Sequence, residues 1–316
     1  MNDRVGLELT YYHKKTKDAI ISVTTPTTTG FPTGVFRNVG SVRNRGFEGV
    51  LNIRPVQTPG ISWDVTVSGS TNSNKLLSKI VDGVPDTNPI IFNSSNQRHA
   101  VGYPLGGYWV RPILSFSDAN GNGIIEPNEV VVGPTPVFIG PSQPTKELAL
   151  NTGLTLFHNR IRIGGQLDYR GGHKLWNLTN EFRCISGLQG CQANYDTSVG
   201  LEDQAAVVAR RFITPVANRT SFGFIEPAWF VKLRELSLSY NLPETVARQF
   251  HATRASITVT GRNLHTWTDY TGADPEVNGE GQSSQSQGFN RNDFFVRDFV
   301  TQPTVRYWTV RVNLGF

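Results

Sequence analysis

No stretch of this 316-residue sequence approaches the roughly 20 consecutive apolar residues that a transmembrane helix needs. Any membrane crossing must therefore be made by strands. Charge is also scarce: Asp, Glu, Lys and Arg make up 17% of the chain, against about 25% in ordinary soluble proteins. The net charge of +5 is spread without a basic run, which leaves no nucleic-acid signature. Six histidines (His13, His99, His158, His173, His251, His265) are scattered, with no HExxH spacing and none beside a GxSxG serine. "GYPLGGYW" at 102–109 is Gly-rich but precedes no helix, so a phosphate cradle is not expected. Only two cysteines are present, Cys184 and Cys191 in "CISGLQGC", and no second Cys/His pair lies at zinc-site spacing. A local disulfide at the exposed tip of the long 171–227 connection fits them and implies an oxidising compartment; two free thiols in a loop are the alternative. The opening "MNDRVGLELTYY" lacks the charged, apolar and cleavage regions of a signal peptide, yet a strand pattern starts within it. It reads as a piece of something longer.

What the sequence does have is alternation. Trp63, Val65 and Val67 alternate with Asp64, Thr66 and Ser68. Ile161, Ile163, Leu167 and Tyr169 oppose Arg162, Gln166, Asp168 and Arg170, and Ala255, Ile257 and Val259 oppose Arg254, Ser256, Thr258 and Thr260. The last segment sets Trp308, Val310, Val312, Leu314 and Phe316 against Tyr307, Thr309, Arg311 and Asn313. The pattern blurs at Lys232 to Glu235, where a bulge is expected without a fixed position. Eight strands follow, over 4–23, 40–55, 61–75, 146–157, 160–170, 228–241, 254–264 and 304–316, with no helices between them. Their connections alternate in length: 24–39, 76–145, 171–227 and 265–303 are long, while 56–60, 158–159 and 242–253 are short. A soluble sandwich alternates equally well along its strands, but it has no reason to sort its loops by parity. A barrel in an outer membrane does, with short periplasmic turns and long external loops. Tyr11, Trp63, Tyr169, Trp229, Tyr240 and Trp308 fall near strand ends, as interfacial girdles require.

Four stretches, "LELTYYHKKTKDAI", "RNVGSVRNRGFEGVLNI", "FVKLRELSLSYNLP" and "VTGRNLHTWTDYTGADPEVN", resemble successive signatures of SusC/RagA-type TonB-dependent outer-membrane receptors. The terminal "VRVNLGF" resembles the strand by which such barrels are recognised for insertion. The resemblance implies an all-β fold: an antiparallel transmembrane β-barrel segment, about eight C-terminal strands of a 22-stranded barrel, with the plug domain and TonB box absent. It implies nutrient import without enzymatic chemistry. The implied partners are a SusD-like surface lipoprotein, the TonB complex through a missing N-terminal region, the barrel assembly machinery, which would read Trp308 to Phe316, and outer-membrane lipid. Glycans, peptides or similarly large nutrients are the implied substrates. A surface-binding barrel without transport and an outer-membrane barrel enzyme are the competing readings.

Eight strands of so wide a barrel leave two edges of unpaired backbone groups, at a cost of order 10 kcal/mol or more per edge in lipid. The chain is thus expected to belong to a longer polypeptide or to be a truncated gene product. A closed eight-stranded barrel would instead enclose Arg54, Arg162, Arg254 and Arg311 in a narrow lumen. On the lumen side, Asp168 and Arg170 read as charge balance, and Asp274 and Glu276 of "ADPEV" as loop structure rather than an acid/base pair.

One motif stands apart. "DANGNGIIEPNE" at 118–129 matches the spacing of an EF-hand calcium loop. Its hard oxygen donors would be Asp118, Asn120, Asn122, the Ile124 carbonyl, Glu126 (directly or through water) and Glu129, with Gly123 at the sharp turn and Ile125 tucked into the loop's own core. With no helices to organise it, the site would be weak, about 10⁻⁴–10⁻³ M. No cofactor is otherwise required. The alternative is a metal-free Asn/Gly-rich turn.

Overall fold

The computed structural model describes all residues except 1–3, 24–34, 82, 93–95, 187–189 and 280–295. Eight long strands form one antiparallel meander: β1 (Val5–Val23), β2 (Val35–Gln57), β3 (Ile61–Thr71), β4 (Lys146–Leu156), β5 (Ile161–Gly171), β6 (Phe230–Asn241), β7 (Arg254–Trp267) and β8 (Tyr307–Gly315). Each strand pairs with its sequence neighbour. Among the described residues β1 and β8 have one partner strand each, so the sheet is open and the closed eight-stranded alternative is not adopted.

Register sorts the side chains into two faces. Leu7, Leu51, Val67, Leu150, Leu167 and Leu233 lie in one cross-strand row. Val312, Ile257 and Tyr240 continue the same outward surface. These side chains are large and apolar; Leu7, Tyr240, Ile257 and Val312 are exposed and the others half-buried among their cross-strand neighbours, as a lipid-facing wall requires. The opposite face carries Asp64, Arg162, Gln166, Asp168, Lys232, Glu235 and Arg311. Even the outward Trp63 satisfies its indole locally, donating to Thr152 Oγ1 at 2.9 Å.

Two irregularities matter. Arg234 is skipped in the register on both sides, between Gln166 and Leu167 of β5 and between Leu233 and Glu235 against β7. This is the bulge that the blurred pattern announced. The apolar positions of β6 step by two except once, from Leu233 to Leu236. Without the extra residue Lys232 and Arg234 would share the outward row with Leu236 and Leu238. The bulge returns both cations to the polar face. The second irregularity is at Asn72, where the expected 61–75 strand splits. Its continuation, Ser73–Val81, stays on β2, while the Asn72 N–H donates to the Thr145 carbonyl at 3.0 Å. Gly46 sits against this break; a Cβ there would lie 1.8 Å from the Thr71 carbonyl oxygen.

The short connections lie at one end of the sheet. At the other end the described parts of three long connections, 76–145, 171–227 and 265–303, fold into a cap. Segment 76–145 contributes a four-stranded sheet (Ile90–Phe92, Gln97–His99, Gly107–Val110, Val137–Gly140) and the hairpin Ile113–Phe116/Val130–Val132. Segment 171–227 was expected to be helix-free, yet it holds α1 (Leu178–Ile185) and α2 (Leu201–Arg211). Both have clear local causes. The Asn177 side chain caps α1 by accepting from the Asn180 N–H. Glu202 and Asp203 open α2, and Arg210 and Arg211 close it, each complementing the helix dipole. One core joins the segments: Tyr108 and Val110 pack with Trp176, Ala206, Val207, Phe224 and Ile225. Tyr108 also donates its hydroxyl to the Val296 carbonyl, tying in the third long connection.

Candidate functional site

Where the third long connection meets the wall, six charged groups converge. Lys232 donates to both Asp274 oxygens at 2.7 and 2.8 Å and to Glu276 at 2.8 Å. Arg234, aimed inward by its bulge, donates to Asp168 at 2.9 Å and clamps Glu276 through two nitrogens at 2.7 and 2.6 Å. Arg170 approaches Glu276 at 3.5 Å. Three cations thus face three carboxylates. The Lys232 and Asp274 side chains are only 3% and 7% exposed. Burial opposes the charge on Glu276, but hydrogen bonds from Arg234 and Lys232 outweigh it and hold its carboxyl down at about 2. Asp274 and Glu276 are therefore anchors of a loop, and the Asp168–Arg170 face balances charge as expected.

Above the anchor lies a cavity of about 980 Å³, bordered by α1, α2 and residues 223–227, and lined by Arg183, Tyr195, Glu202, Asp203, Glu226 and Asp269 among others. Burial raises the Glu226 carboxyl, against hydrogen bonds from Thr271 and Asn177, with the nearby Asp203 charge adding to the rise. His99 and His173 are held neutral, each lowered to about 4 chiefly by burial.

Cys184 and Cys191 are bonded to each other, with Cα atoms 5.0 Å apart. An exposed loop tip was the expected setting. Instead both sulfurs are buried in the cap core beside Trp176 and Phe224, because α1 folds the segment inward.

The 118–129 loop joins the two strands of the Ile113–Phe116/Val130–Val132 hairpin. Asp118 accepts from the Asn122 and Gly123 N–H groups, and Asn120 from Asn122. Asn122 accepts from the Ile124 N–H. Glu129 accepts from the Ala119, Asn120 and Glu126 N–H groups. A 3₁₀ turn at Pro127–Glu129 follows, with Glu126 as its N-cap and Glu129 completing a capping box. The loop is not unsupported: Gln204 of α2 accepts from the Ile125 N–H and donates to the Gly123 carbonyl. Ile125 packs on Ala205, Val208 and Ala209 rather than into a core of the loop's own. Among the described residues no group of three or more His, Cys, Asp or Glu is placed to hold a metal; the motif's amide and carbonyl oxygens would have to complete the set.

On β8, Trp308, Val310, Val312 and Leu314 are exposed in a single outward row, and Phe316, just beyond the strand, is exposed too. Trp229, read as a girdle residue, donates its indole N–H to Asp269 in the cap.

An open antiparallel sheet with a bare apolar face, a polar face and a cap over one end defines part of the wall of an outer-membrane β-barrel. The comparisons agree. Residues 1–125 match the family model "TonB dependent receptor-like, beta-barrel". TonB-dependent receptor P26 of Formosa agariphila is 26% identical over all of this chain and 33% of its own length. TonB-dependent receptor SusC of Bacteroides thetaiotaomicron is 25% identical, over 88% of this chain and 28% of its own. The RagAB peptide importer in its closed-closed state shares the fold, with a TM-score of 0.66 and 20% identity over 98% of this chain and 33% of that one. The chain is similar to the β-barrel of SusC/RagA-type TonB-dependent receptors, proteins of the Gram-negative outer membrane. It spans a third or less of these relatives' lengths.

Proposed function

We propose that this chain supplies wall and surface loops to a nutrient import receptor, energised through the TonB complex and working with a SusD-like lipoprotein. The observation that carries this reading is the cap: three long connections share one packed and hydrogen-bonded body over one end of a barrel wall. A surface that only adheres needs no such body bolted to the wall by a buried ion cluster. Peptides are candidate cargo because the fold neighbour RagAB is a peptide importer; glycans follow from the SusC/RagA resemblance. No enzymatic role is proposed. The test is uptake of labelled peptides and glycans by cells carrying the full-length receptor, with and without an intact proton gradient. Gradient-dependent accumulation supports import. Surface binding without accumulation would favour a barrel that binds without transport. Affinity purification from native membranes should recover a SusD-like lipoprotein with the receptor.

A second proposal concerns calcium at 118–129. The donor set is hard oxygen, and Gln204 and the capping box already fix the loop's shape. Asp118, Asn120, Asn122, the Ile124 carbonyl, Glu126 and Glu129 would hold the ion, which would supply structural rigidity and no chemistry.

A further inference from the structure

The outward face changes character abruptly above its aromatic girdle. From Val5 to Tyr11 the outward row of β1 is apolar, and it pairs with Phe47, Gly49, Leu51 and Ile53 of β2. The next two outward positions on each strand are His13 and Lys15, opposite Arg45 and Arg43. Lys75 stands beside Arg43 on the other side, so Lys15, Arg43 and Lys75 form one cross-strand line. Lys146, next to Leu148 on β4, continues the belt. Like charges directly opposite one another are destabilising in a sheet, and here they are neighbours without relief. None of these cations makes an ion pair with a carboxylate among the described residues, and the Arg43 Nε is buried without a partner.

The carboxylates of these strands are elsewhere. Glu8, Glu48, Asp64, Glu147, Asp168 and Glu235 all lie on the inward face by register. On β1 the first acid beyond the cations is Asp18, in the bulge above them. Depth decides what the cations meet. At about 3.3 Å per residue and a tilt of about 40°, His13 and Arg45 lie about 5 Å above Tyr11 and Phe47 along the membrane normal. Lys15 and Arg43 lie about 10 Å above them on the same reckoning. The polar headgroup layer is about 5–8 Å thick on each side of the hydrocarbon, so the belt spans it.

We propose that His13, Lys15, Arg43, Arg45, Lys75 and Lys146 form a binding surface for the phosphate groups of an anionic glycolipid in the outer leaflet. Guanidinium forks and ammonium groups are the side chains that phosphate oxygens select. The lipid would relieve the repulsion within the line and fix the height of the β1–β4 wall in the membrane. This reading needs only the outer-membrane location and is independent of import.

The test extracts the full-length receptor from native outer membranes and counts phosphorylated lipid per receptor by mass spectrometry. Lys15→Gln, Arg43→Gln, Arg45→Gln and Lys75→Gln are combined in one variant, with the inward-facing Lys14→Gln as control. Each cation near an anionic surface changes partition by about fivefold, so retained lipid should fall at least that much in the combined variant and stay unchanged in the control. Equal retention in a normally abundant combined variant overturns the proposal. Should that variant fail to assemble, the wild-type receptor decides: a high-salt wash should strip the phosphorylated lipid, and retention through the wash counts against the surface. Inorganic phosphate at millimolar level should not displace the lipid; displacement would identify a free-anion site instead and likewise overturn the proposal.

Discussion

Replacing Lys232 by Met removes the centre of the buried anchor while keeping its volume. Asp274 would then lose both ammonium contacts and keep only the Glu276 N–H and the Thr304 hydroxyl. Glu276 would retain Arg234 and Arg170, so Asp274 carries most of the damage. Breaking a buried pair from one side costs about 3–5 kcal/mol, because an uncompensated charge stays behind. The low exposure of both side chains places Lys232–Asp274 in that class rather than among surface pairs. Three kcal/mol corresponds to about 10²-fold more frequent local opening, read as faster amide exchange across 268–278 in the full-length receptor. Adding Asp274→Leu should recover most of the protection, since an apolar replacement of the whole pair is often near neutral. Exchange in Lys232→Met within about threefold of wild type would refute the anchor, as would a double variant no better than the single one.

Four further outcomes are expected. Val312→Arg places a charge on the lipid face, at about 2–4 kcal/mol near mid-bilayer, so outer-membrane abundance should fall, as it should on deletion of Phe316; unchanged levels would count against the outward assignment of β8. Removing the Cys184–Cys191 bond by double Ala substitution should cost the cap about 2–3 kcal/mol by the loop-entropy estimate and increase proteolysis between α1 and α2; freely alkylated thiols in native protein would remove the premise. His99 and His173 have folded values near 4, below the ordinary 6.5, so their contribution is complete above pH 6.5 and is lost as pH falls towards 4; the protection of cap amides, taken relative to the intrinsic exchange rate at each pH, should fall across that window and stay level above it. Millimolar calcium should protect 111–135 from proteolysis, and Asp118→Ala with Glu129→Ala should abolish the protection; indifference to both would leave a turn.

The strands were legible because lipid on one side and water on the other impose period-two alternation, which β3, β5, β7 and β8 show most cleanly. β6 was legible too, down to its blur: the step from Leu233 to Leu236 is the bulge written in sequence. The helices were missed for a physical reason. Both are short, and the stretch between them, with glycines at 187, 190 and 200, reads as open loop. Yet Glu202-Asp203 and Arg210-Arg211 at opposite ends of an Ala/Val run were a usable helix signal. The anchor could not be read, since Lys232 and Asp274 lie 42 residues apart and nothing local announces that they meet. The basic belt was hidden differently. His13, Lys15, Arg43, Arg45 and Lys75 alternate with other residues and form a row only once register is known.

The most direct test of the wall assignment is accessibility along β8 in membranes. Single nitroxide labels at each position from 307 to 314 of the full-length receptor would be read by relaxation with oxygen, which partitions into lipid, and with a water-soluble nickel chelate. Oxygen contact should peak at positions 308, 310, 312 and 314, and nickel contact at 307, 309, 311 and 313. Accessibility without this period of two, or with the two phases exchanged, would contradict a lipid-facing wall.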